Sequence, residues 1–560
     1  MKTALASILV LASAGLALRP KHSMSMTGRS IEYLATNESP QLAKRQTSSD
    51  PLQGNDTYPA VGYFKQPIDH NNPSLGTFNM RYYWSNEFWK GPGSPIVLFQ
   101  AGEYNASTYL SYYGNYSETE FYTSPDQLAF DIGAAFLMIE NRYYGESSPY
   151  AELTTANLQY LTFEQVMYDL VNFAENVKLP FDHNSTASTV PWVLVGGSYG
   201  GVITTYIADK LPGTFWAYYA SSATLQEQEA YWRQSIGFQQ GGPKNCSKDA
   251  ALVVDYIDQL FSTGSEEEIV ALKTSFGLQN LTHNEDFLLT LSYDPELWFD
   301  MQFDNHIPEL LTNTFLWCDA IEGAWDPVTR TFTKTALPGI EGVGLQKALE
   351  NWAKWVKYYT LPGSCASKFD YPGLYSENST YCYESYDPKD PFYTDLTVDN
   401  PWNRQYLWLQ CNEPYGFWTT GAPEGYPTVI SRLLTVSNYY RWCKTLFPTG
   451  PKMETYGLRT QDEYNTYWGG WNIVNTTRLL YVNGENDYWR PATVAAEQRP
   501  GGPLKSTPQV PTWIIPGGYH CSDFFVYRNA RINEDVRKVI DQVLVQLKTW
   551  VKEWPGYNKN

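Results

Sequence analysis

One serine of this 560-residue chain lies in a run of glycines, where a strand pattern changes to a helix pattern. Residues 193–201 read Val-Leu-Val-Gly-Gly-Ser-Tyr-Gly-Gly, and apolar residues continue from Val202. In a Gly-x-Ser-x-Gly elbow, a strained turn between a strand and a helix exposes the serine hydroxyl. We therefore predict that Ser198 is a nucleophile, and the alternative is a glycine turn of structural purpose only.

A serine nucleophile needs a base within hydrogen-bonding distance. On scaffolds with this elbow, the chain order is serine, then an acid, then histidine. His520 comes shortly after the strand pattern of residues 512–515, whereas His283 and His306, the other two histidines after Ser198, lie in a region of helical patterns. We predict that His520 is the base, and the alternative is a histidine on a surface loop.

The acid that orients the histidine should follow an earlier strand pattern. Glu485 and Asp487 both follow the apolar run of residues 479–482. The spacing leaves both carboxylates possible. It favours Asp487, because the loop must extend from the strand end before it turns back.

An acyl-transfer site also needs N–H donors for the oxyanion. Tyr199, the residue after the nucleophile, should supply one backbone N–H. The second should come from the turn after the strand pattern of residues 95–99, where we expect Gly102 to donate. A simple turn glycine at Gly102 is the alternative.

The elements around these residues form three regions. Apolar runs alternate with helical patterns in residues 46–223 and again in residues 471–560, which predicts an α/β domain with a mostly parallel sheet. Residues 224–470 are helical and rich in aromatic residues, and they contain six of the seven cysteines. We predict a large, mainly helical cap, stapled by disulfides and inserted before the acid and the histidine.

The cysteines predict a framework of disulfides, with a connectivity that the sequence leaves open. We expect Cys521 to anchor the loop of His520 through a disulfide, which would leave a cysteine of the cap unpaired. No Cys-x-x-Cys spacing occurs, so we predict no metal site and no cofactor. The cysteines are Cys246, Cys318, Cys365, Cys382, Cys411, Cys443 and Cys521.

The N-terminal residues and the sequons predict an extracellular, secreted glycoprotein. Residues 1–17 have the pattern of a signal peptide, and residues 18–45 end in Lys44-Arg45, which fits either a pro-segment or an exposed linker. The net charge of −19 argues against nucleic acids and anionic membranes as partners. The predicted glycosylation sites are Asn37, Asn55, Asn105, Asn115, Asn184, Asn245, Asn280, Asn378 and Asn475.

Several longer segments resemble the prolyl carboxypeptidase and dipeptidyl peptidase II family of serine peptidases. The chain is most similar to the secreted fungal acid prolyl endopeptidases and extracellular serine carboxypeptidases. The resemblance implies the α/β-hydrolase fold and assigns the acid to Asp487. Asn141 departs from the family pattern, which has histidine there. The matching segments are 140–149, 161–169, 196–201, 410–413, 483–489 and 517–523.

The resemblance further implies cleavage of peptide bonds next to proline, with proline-containing peptides as substrates. Trp489 would form one wall of the proline pocket, or else be a core tryptophan, and Tyr488 replaces a family proline, which leaves specificity open. Glu103 is a candidate to bind a free amine, and the choice between carboxypeptidase and endopeptidase stays open. Activity at acid pH would require burial to lower the pKa of His520 well below about 6.5.

Two other hypotheses remain at this point. The first is an esterase or lipase on the same scaffold, because the elbow does not distinguish acyl substrates. The second is an inactive binding glycoprotein, although Ser198, Asp487 and His520 are all present. The oligomeric state is not predicted.

Overall fold

The apolar runs of the sequence become the strands of one sheet. The computed structural model describes residues 59–113, 121–306, 313–333, 337–365, 375–376, 378–448 and 459–556. The predicted signal peptide and pro-segment lie outside these residues, as do the sequon asparagines Asn37, Asn55 and Asn115.

In the described part of the chain, eight strands form the main sheet in the order β1-β2-β4-β3-β5-β6-β9-β10, and β7 and β8 form a separate hairpin. The pairs β1–β2 and β2–β4 are antiparallel, and the other pairs of the main sheet are parallel. The strands are β1 Ala60–Pro67, β2 Thr77–Ser85, β3 Ile96–Gln100, β4 Ala135–Ile139, β5 Trp192–Gly197, β6 Ala217–Ser221, β7 Trp325–Asp326, β8 Thr331–Phe332, β9 Leu479–Gly484 and β10 Thr512–Ile515.

Helices from residues 124–210 and from residues 534–552 pack on this sheet. Helix α3 (Phe163–Asn176) begins after Thr162, whose side chain accepts from the N–H of Gln165 and so caps the helix. The C-terminal helix α15 buries one apolar face, from Val536 to Val551. The helices outside the cap are α1 Ser124–Ile132, α2 Thr155–Leu158, α3 Phe163–Asn176, α4 Tyr199–Lys210 and α15 Glu534–Lys552.

Between β6 and β9 the described residues are helical apart from the small hairpin and connecting loops. This arrangement, with a sharp turn after β5, is the predicted α/β-hydrolase fold with a helical cap. The cap helices are α5 Ile236–Gly241, α6 Lys244–Thr263, α7 Glu266–Ser275, α8 Asn284–Glu296, α9 Asn313–Ile321, α10 Leu345–Trp355, α11 Pro391–Thr394, α12 Arg404–Asn412, α13 Val436–Leu446 and α14 Gln461–Trp468.

Three disulfides staple the cap, and the expectation for Cys521 is wrong. The cap cysteines pair with one another as Cys246–Cys318, Cys365–Cys382 and Cys411–Cys443. Cys521 is a buried free thiol. Because the six cap cysteines pair with one another, none of them is left for Cys521, whose Sγ donates to the carbonyl oxygen of Ser221, 3.9 Å away.

The described sequon asparagines differ in exposure. Asn184, Asn280, Asn378 and Asn475 are exposed, whereas Asn105 and Asn245 are half-buried. The side-chain oxygen of Asn105 already accepts from Arg81. Within the described residues, no helix is both long and apolar enough to cross a membrane.

Several buried carboxyl groups hold their protons more tightly than carboxyls in water. Burial raises the pKa of Glu413 to about 8 and the pKa of Asp294 to about 7. Burial likewise raises the pKa of Asp523 to about 6, although the hydroxyls of Tyr219 and Ser221 donate to it. Such a group binds more protons in the folded state than in the unfolded state, so stability falls as pH rises between the two pKa values.

We expect the unfolding temperature to be higher at pH 5 than at pH 8, by on the order of 5 °C. The change should fall between the unfolded pKa of a carboxyl, about 4, and the raised folded values. The variant Glu413→Gln removes one of these groups. It should raise the unfolding temperature at pH 8 and change it little at pH 5, as measured by scanning fluorimetry. An unfolding temperature that increases with pH would contradict this account.

Candidate active site

The backbone at Ser198 is strained in the way that an exposed nucleophile requires. Ser198 has φ 54° and ψ −126°, between the last residue of β5 and the first residue of α4. Its N–H donates to the carbonyl oxygen of Ser221, 2.9 Å away. The side chain is half-buried, so it remains accessible at the carboxyl edge of the sheet.

The glycines around Ser198 are required by close contacts. A Cβ added at Gly196 would lie 2.1 Å from the carbonyl oxygen of Gly200. A Cβ at Gly200 would lie 2.5 Å from Oε1 of Gln100, and one at Gly197 would lie 2.6 Å from the ring of Phe524. Side chains at these positions would push the elbow away from its neighbours.

The structure brings Asp487 and His520 together. Nδ1 of His520 lies 3.1 Å from Oδ1 and 3.2 Å from Oδ2 of Asp487. Nδ1–H therefore donates to the carboxylate, and the lone pair of the neutral ring is on Nε2. Both side chains are buried, and Nε2 has no hydrogen-bond partner among the described residues.

Glu485, the competing acid, does not contact His520. Its side chain is exposed, and Oε2 accepts from the N–H of Gly517, 2.8 Å away. Glu485 thus ties the start of the histidine loop to the end of β9.

The histidine loop meets the serine elbow through residues at the end of β6. The carbonyl oxygen of Ser221 accepts from both the N–H of Ser198 and the thiol of Cys521. The hydroxyl of Ser222 accepts from the N–H of Cys521, 3.1 Å away. Ser198 and the His520–Asp487 pair therefore share one edge of the sheet.

Two opposing effects act on the pKa of His520. Burial lowers the pKa, whereas Cys521 and the Asp487 carboxylate raise it, and the resulting pKa lies well above 6.5. The sequence-based expectation for acid activity required a lowered pKa. The pKa of His520 is instead raised, because the partners of the ring stabilise its protonated form more than burial destabilises it.

The two predicted oxyanion donors differ in whether the backbone N–H is already hydrogen-bonded. Tyr199 is the first residue of α4, so its N–H has no partner within the helix. The N–H of Gly102 instead donates to Oε1 of Gln100, 2.7 Å away. That N–H is therefore occupied in this structure, and the role of Gly102 as a donor stays a prediction.

Aromatic rings line the site beside His520. Trp489 stacks on Tyr231 with ring centroids 5.3 Å apart, and the Phe417 ring lies edge-on at 5.7 Å. The rings of Trp489 and Phe299 each lie 6.4 Å from that of His520. Trp489 is half-buried, so part of its ring remains open to an apolar ligand.

Tyr488 is buried behind this aromatic wall. Its hydroxyl donates to Oε1 of Gln234, and its carbonyl oxygen accepts from the hydroxyl of Tyr231, 3.0 Å away. These two bonds hold the segment between Asp487 and Trp489, where the resembled family has a rigid proline.

Glu103 lies on the other side of the elbow and is buried. Its carbonyl oxygen accepts from Nδ2 of Asn403, the residue that caps α12. Burial raises the pKa values of Tyr199 and Tyr406, and the negative charge of Glu103 adds to both shifts. The negative charge of Glu103 therefore acts on the hydroxyl of Tyr199, the residue after Ser198.

Sequence reasoning missed Gln302 of the cap and Asn529 of the sheet domain, which hold the histidine loop. Nε2 of Gln302 donates to the carbonyl oxygen of His520, 2.8 Å away. Oε1 of Gln302 accepts from Nδ2 of Asn529, which also donates to the carbonyl oxygen of Ser522. Phe299 and Phe417 were missed as well, because no local pattern links residues so far apart in the chain.

We expect Gly200→Ala to destabilise the protein by about 1–3 kcal/mol, the range typical of overpacking. The added Cβ would press against Gln100. Gly339→Ala is a matched control, because nothing lies within 4 Å of a Cβ at that position. Urea unfolding of both variants measures the difference. Equal stabilities would show that the elbow tolerates side chains.

Comparison with known proteins identifies relatives among the serine peptidases. The family model described as serine carboxypeptidase S28 matches residues 66–293 and 368–538. Serine protease vicPa of Bipolaris victoriae is 38% identical over 497 residues, which cover 88% of this chain and 89% of that protein.

More distant relatives carry carboxypeptidase names. A probable extracellular serine carboxypeptidase of Arthroderma benhamiae is 28% identical and covers 87% of this chain and 67% of that protein. Lysosomal Pro-X carboxypeptidase of Pongo abelii is 28% identical over 37% of this chain and 41% of that protein.

Among solved structures, proline iminopeptidase of Mycobacterium smegmatis has a TM-score of 0.33 and 11% identity, covering 87% of this chain and 99% of that chain. The family model covers well over half of the sequence, and the vicPa match is longer still. The resemblance seen in the motifs is confirmed: the chain belongs to the serine carboxypeptidase S28 family and is a serine-type peptidase.

Proposed function

We propose that this protein is a secreted peptidase that hydrolyses peptide bonds next to proline, with Ser198, Asp487 and His520 as its catalytic residues. The observation that carries the proposal is the buried His520–Asp487 pair at the sheet edge that also holds the strained Ser198. The half-buried Trp489 beside His520 supports the choice of substrate.

Each residue has one task in the proposed reaction. Nε2 of His520 takes the proton of Ser198 as Oγ attacks the carbonyl carbon, and the imidazolium then donates that proton to the leaving amine. Asp487 holds the ring so that Nε2 carries the lone pair. Water, activated by the same histidine, then hydrolyses the acyl-enzyme.

The aromatic wall supports recognition of proline. A proline ring is apolar and compact, so it can pack against the face of an indole. The stack of Tyr231 on Trp489 fixes the indole plane, and Phe417 limits the pocket at one side. A related protein is named a Pro-X carboxypeptidase, which agrees with this choice.

The N-terminal pattern and the similarity to a probable extracellular enzyme support secretion. The proposed activity is that of either a carboxypeptidase or an endopeptidase. Glu103 is proposed to attract a free amine of the substrate, because its carboxylate is buried near Tyr199. The family membership disfavours the esterase and binding-protein hypotheses.

We expect the processed enzyme to cleave proline-containing peptides and Ser198→Ala to lose at least about 10⁴-fold in kcat/KM. Peptides with free or blocked ends, analysed by mass spectrometry, identify the cleaved bond. Cleavage that requires a free carboxylate indicates a carboxypeptidase, and cleavage with both ends blocked indicates an endopeptidase. Hydrolysis of nitrophenyl esters without cleavage of any proline peptide would contradict the proposal.

The pKa of His520 generates a prediction about pH. Only the neutral imidazole accepts the serine proton. Because the pKa of His520 is raised well above 6.5, kcat/KM should decrease as the pH falls below the pKa of His520. Acylation is therefore expected to slow in acid, although the fold is more stable there. A profile that stays flat from pH 8 to pH 4 would contradict this assignment.

A further inference from the structure

We propose that Nε2 of Gln100 is the second donor of the oxyanion hole, beside the N–H of Tyr199. The inference rests on the proposed acyl-transfer function and goes further, because it replaces the donor that the sequence suggested. It assigns a catalytic residue to a position that carries no recognised motif.

Gln100 lies at the correct edge of the sheet. It is the last residue of β3, and β3 pairs in parallel with β5, so both strands end on the side of Ser198. The pair Phe99–Val195 places Gln100 beside the glycines that precede the nucleophile. Its side chain contacts the elbow closely, because a Cβ at Gly200 would lie 2.5 Å from Oε1.

The orientation of the amide follows from its hydrogen bond. The N–H of Gly102 can donate only to an oxygen, so Oε1 must face Gly102, at 2.7 Å. The NH₂ group then occupies the other position of the amide. Gln100 is 2% exposed, and Nε2 has no hydrogen-bond partner among the residues that the structure describes.

A buried NH₂ group without an acceptor is costly, and such groups in native proteins call for an explanation. An acceptor that forms only during the reaction provides one. When Oγ of Ser198 bonds to the carbonyl carbon, the π electron pair moves to the carbonyl oxygen, and the new anion can accept from Nε2 and from Tyr199. A carboxamide that donates to an oxyanion contributes about 10²–10³-fold to kcat.

The variant Gln100→Glu separates this role from a structural one. A carboxylate still accepts from the N–H of Gly102, but it removes the donor and places a negative charge near the oxyanion. We expect kcat on a proline peptide to fall about 10²–10³-fold at pH 8, with KM changed less than about threefold. As the pH decreases, the introduced carboxyl gains a proton and becomes a donor, so the ratio of variant to wild-type kcat should increase.

Gln100→Met provides a second variant that has neither donor nor acceptor. It should lose kcat at all pH values without recovery in acid. A Gln100→Glu enzyme with kcat within about threefold of wild type at pH 8 would overturn the proposal. If Gln100→Glu does not fold, Gln100→Met with wild-type kcat overturns it equally. Ser198→Ala distinguishes this failure from failure of the proposed function, because an active Ser198→Ala enzyme would reject the acyl-transfer mechanism itself.

Discussion

The close approach of neighbouring strand ends to Ser198 is the contact on which the rest of the site depends. Gly200 packs against Gln100 of β3, and Gly197 packs against Phe524 of the histidine loop. Ser198 keeps its strained backbone because its own N–H is bonded to Ser221 at the end of β6. The proposed nucleophile, its proposed base and the proposed oxyanion donors are therefore positioned by one tightly packed layer.

The cap contributes to the site as well as covering it. Gln302 and Asn529 link the cap to the loop of His520, and Asp304 forms a buried ion pair with Arg528, with Nη2 of the arginine 2.6 Å from Oδ1 of the aspartate. Asn403, at the start of α12, bonds the backbone of Glu103 on the opposite side. The aromatic wall beside His520 thus combines Trp489 from the sheet domain with Tyr231, Phe299 and Phe417 of the cap.

Local patterns in the sequence are sufficient to predict the sheet, the elbow and the helical insertion. The strand pattern of residues 512–515 has the observed bounds of β10, and the apolar run that begins at Val193 lies within β5. These predictions succeed because apolar runs and glycine turns reflect short-range constraints. The acid was left open between Glu485 and Asp487 by spacing alone, since only the resemblance, and then the geometry, separates two carboxylates on one loop.

The remaining features depend on contacts between distant segments. Whether Cys521 has a disulfide partner depends on which cysteines meet in the fold. The N–H of Gly102 is occupied because the side chain of Gln100 folds back to accept from it. The pKa of His520 is raised because of the groups that surround its ring, the Asp487 carboxylate among them. None of these has a signature in composition or spacing.

The central claim is that Ser198 is a nucleophile activated by the His520–Asp487 pair. Mass mapping of the peptide labelled by a fluorophosphonate tests this most directly, because only an activated serine reacts rapidly. The account predicts one phosphonyl group on Ser198 in the wild-type enzyme and loss of labelling in His520→Ala. Labelling at another residue, or labelling of Ser198 that is equally fast in His520→Ala, would contradict it.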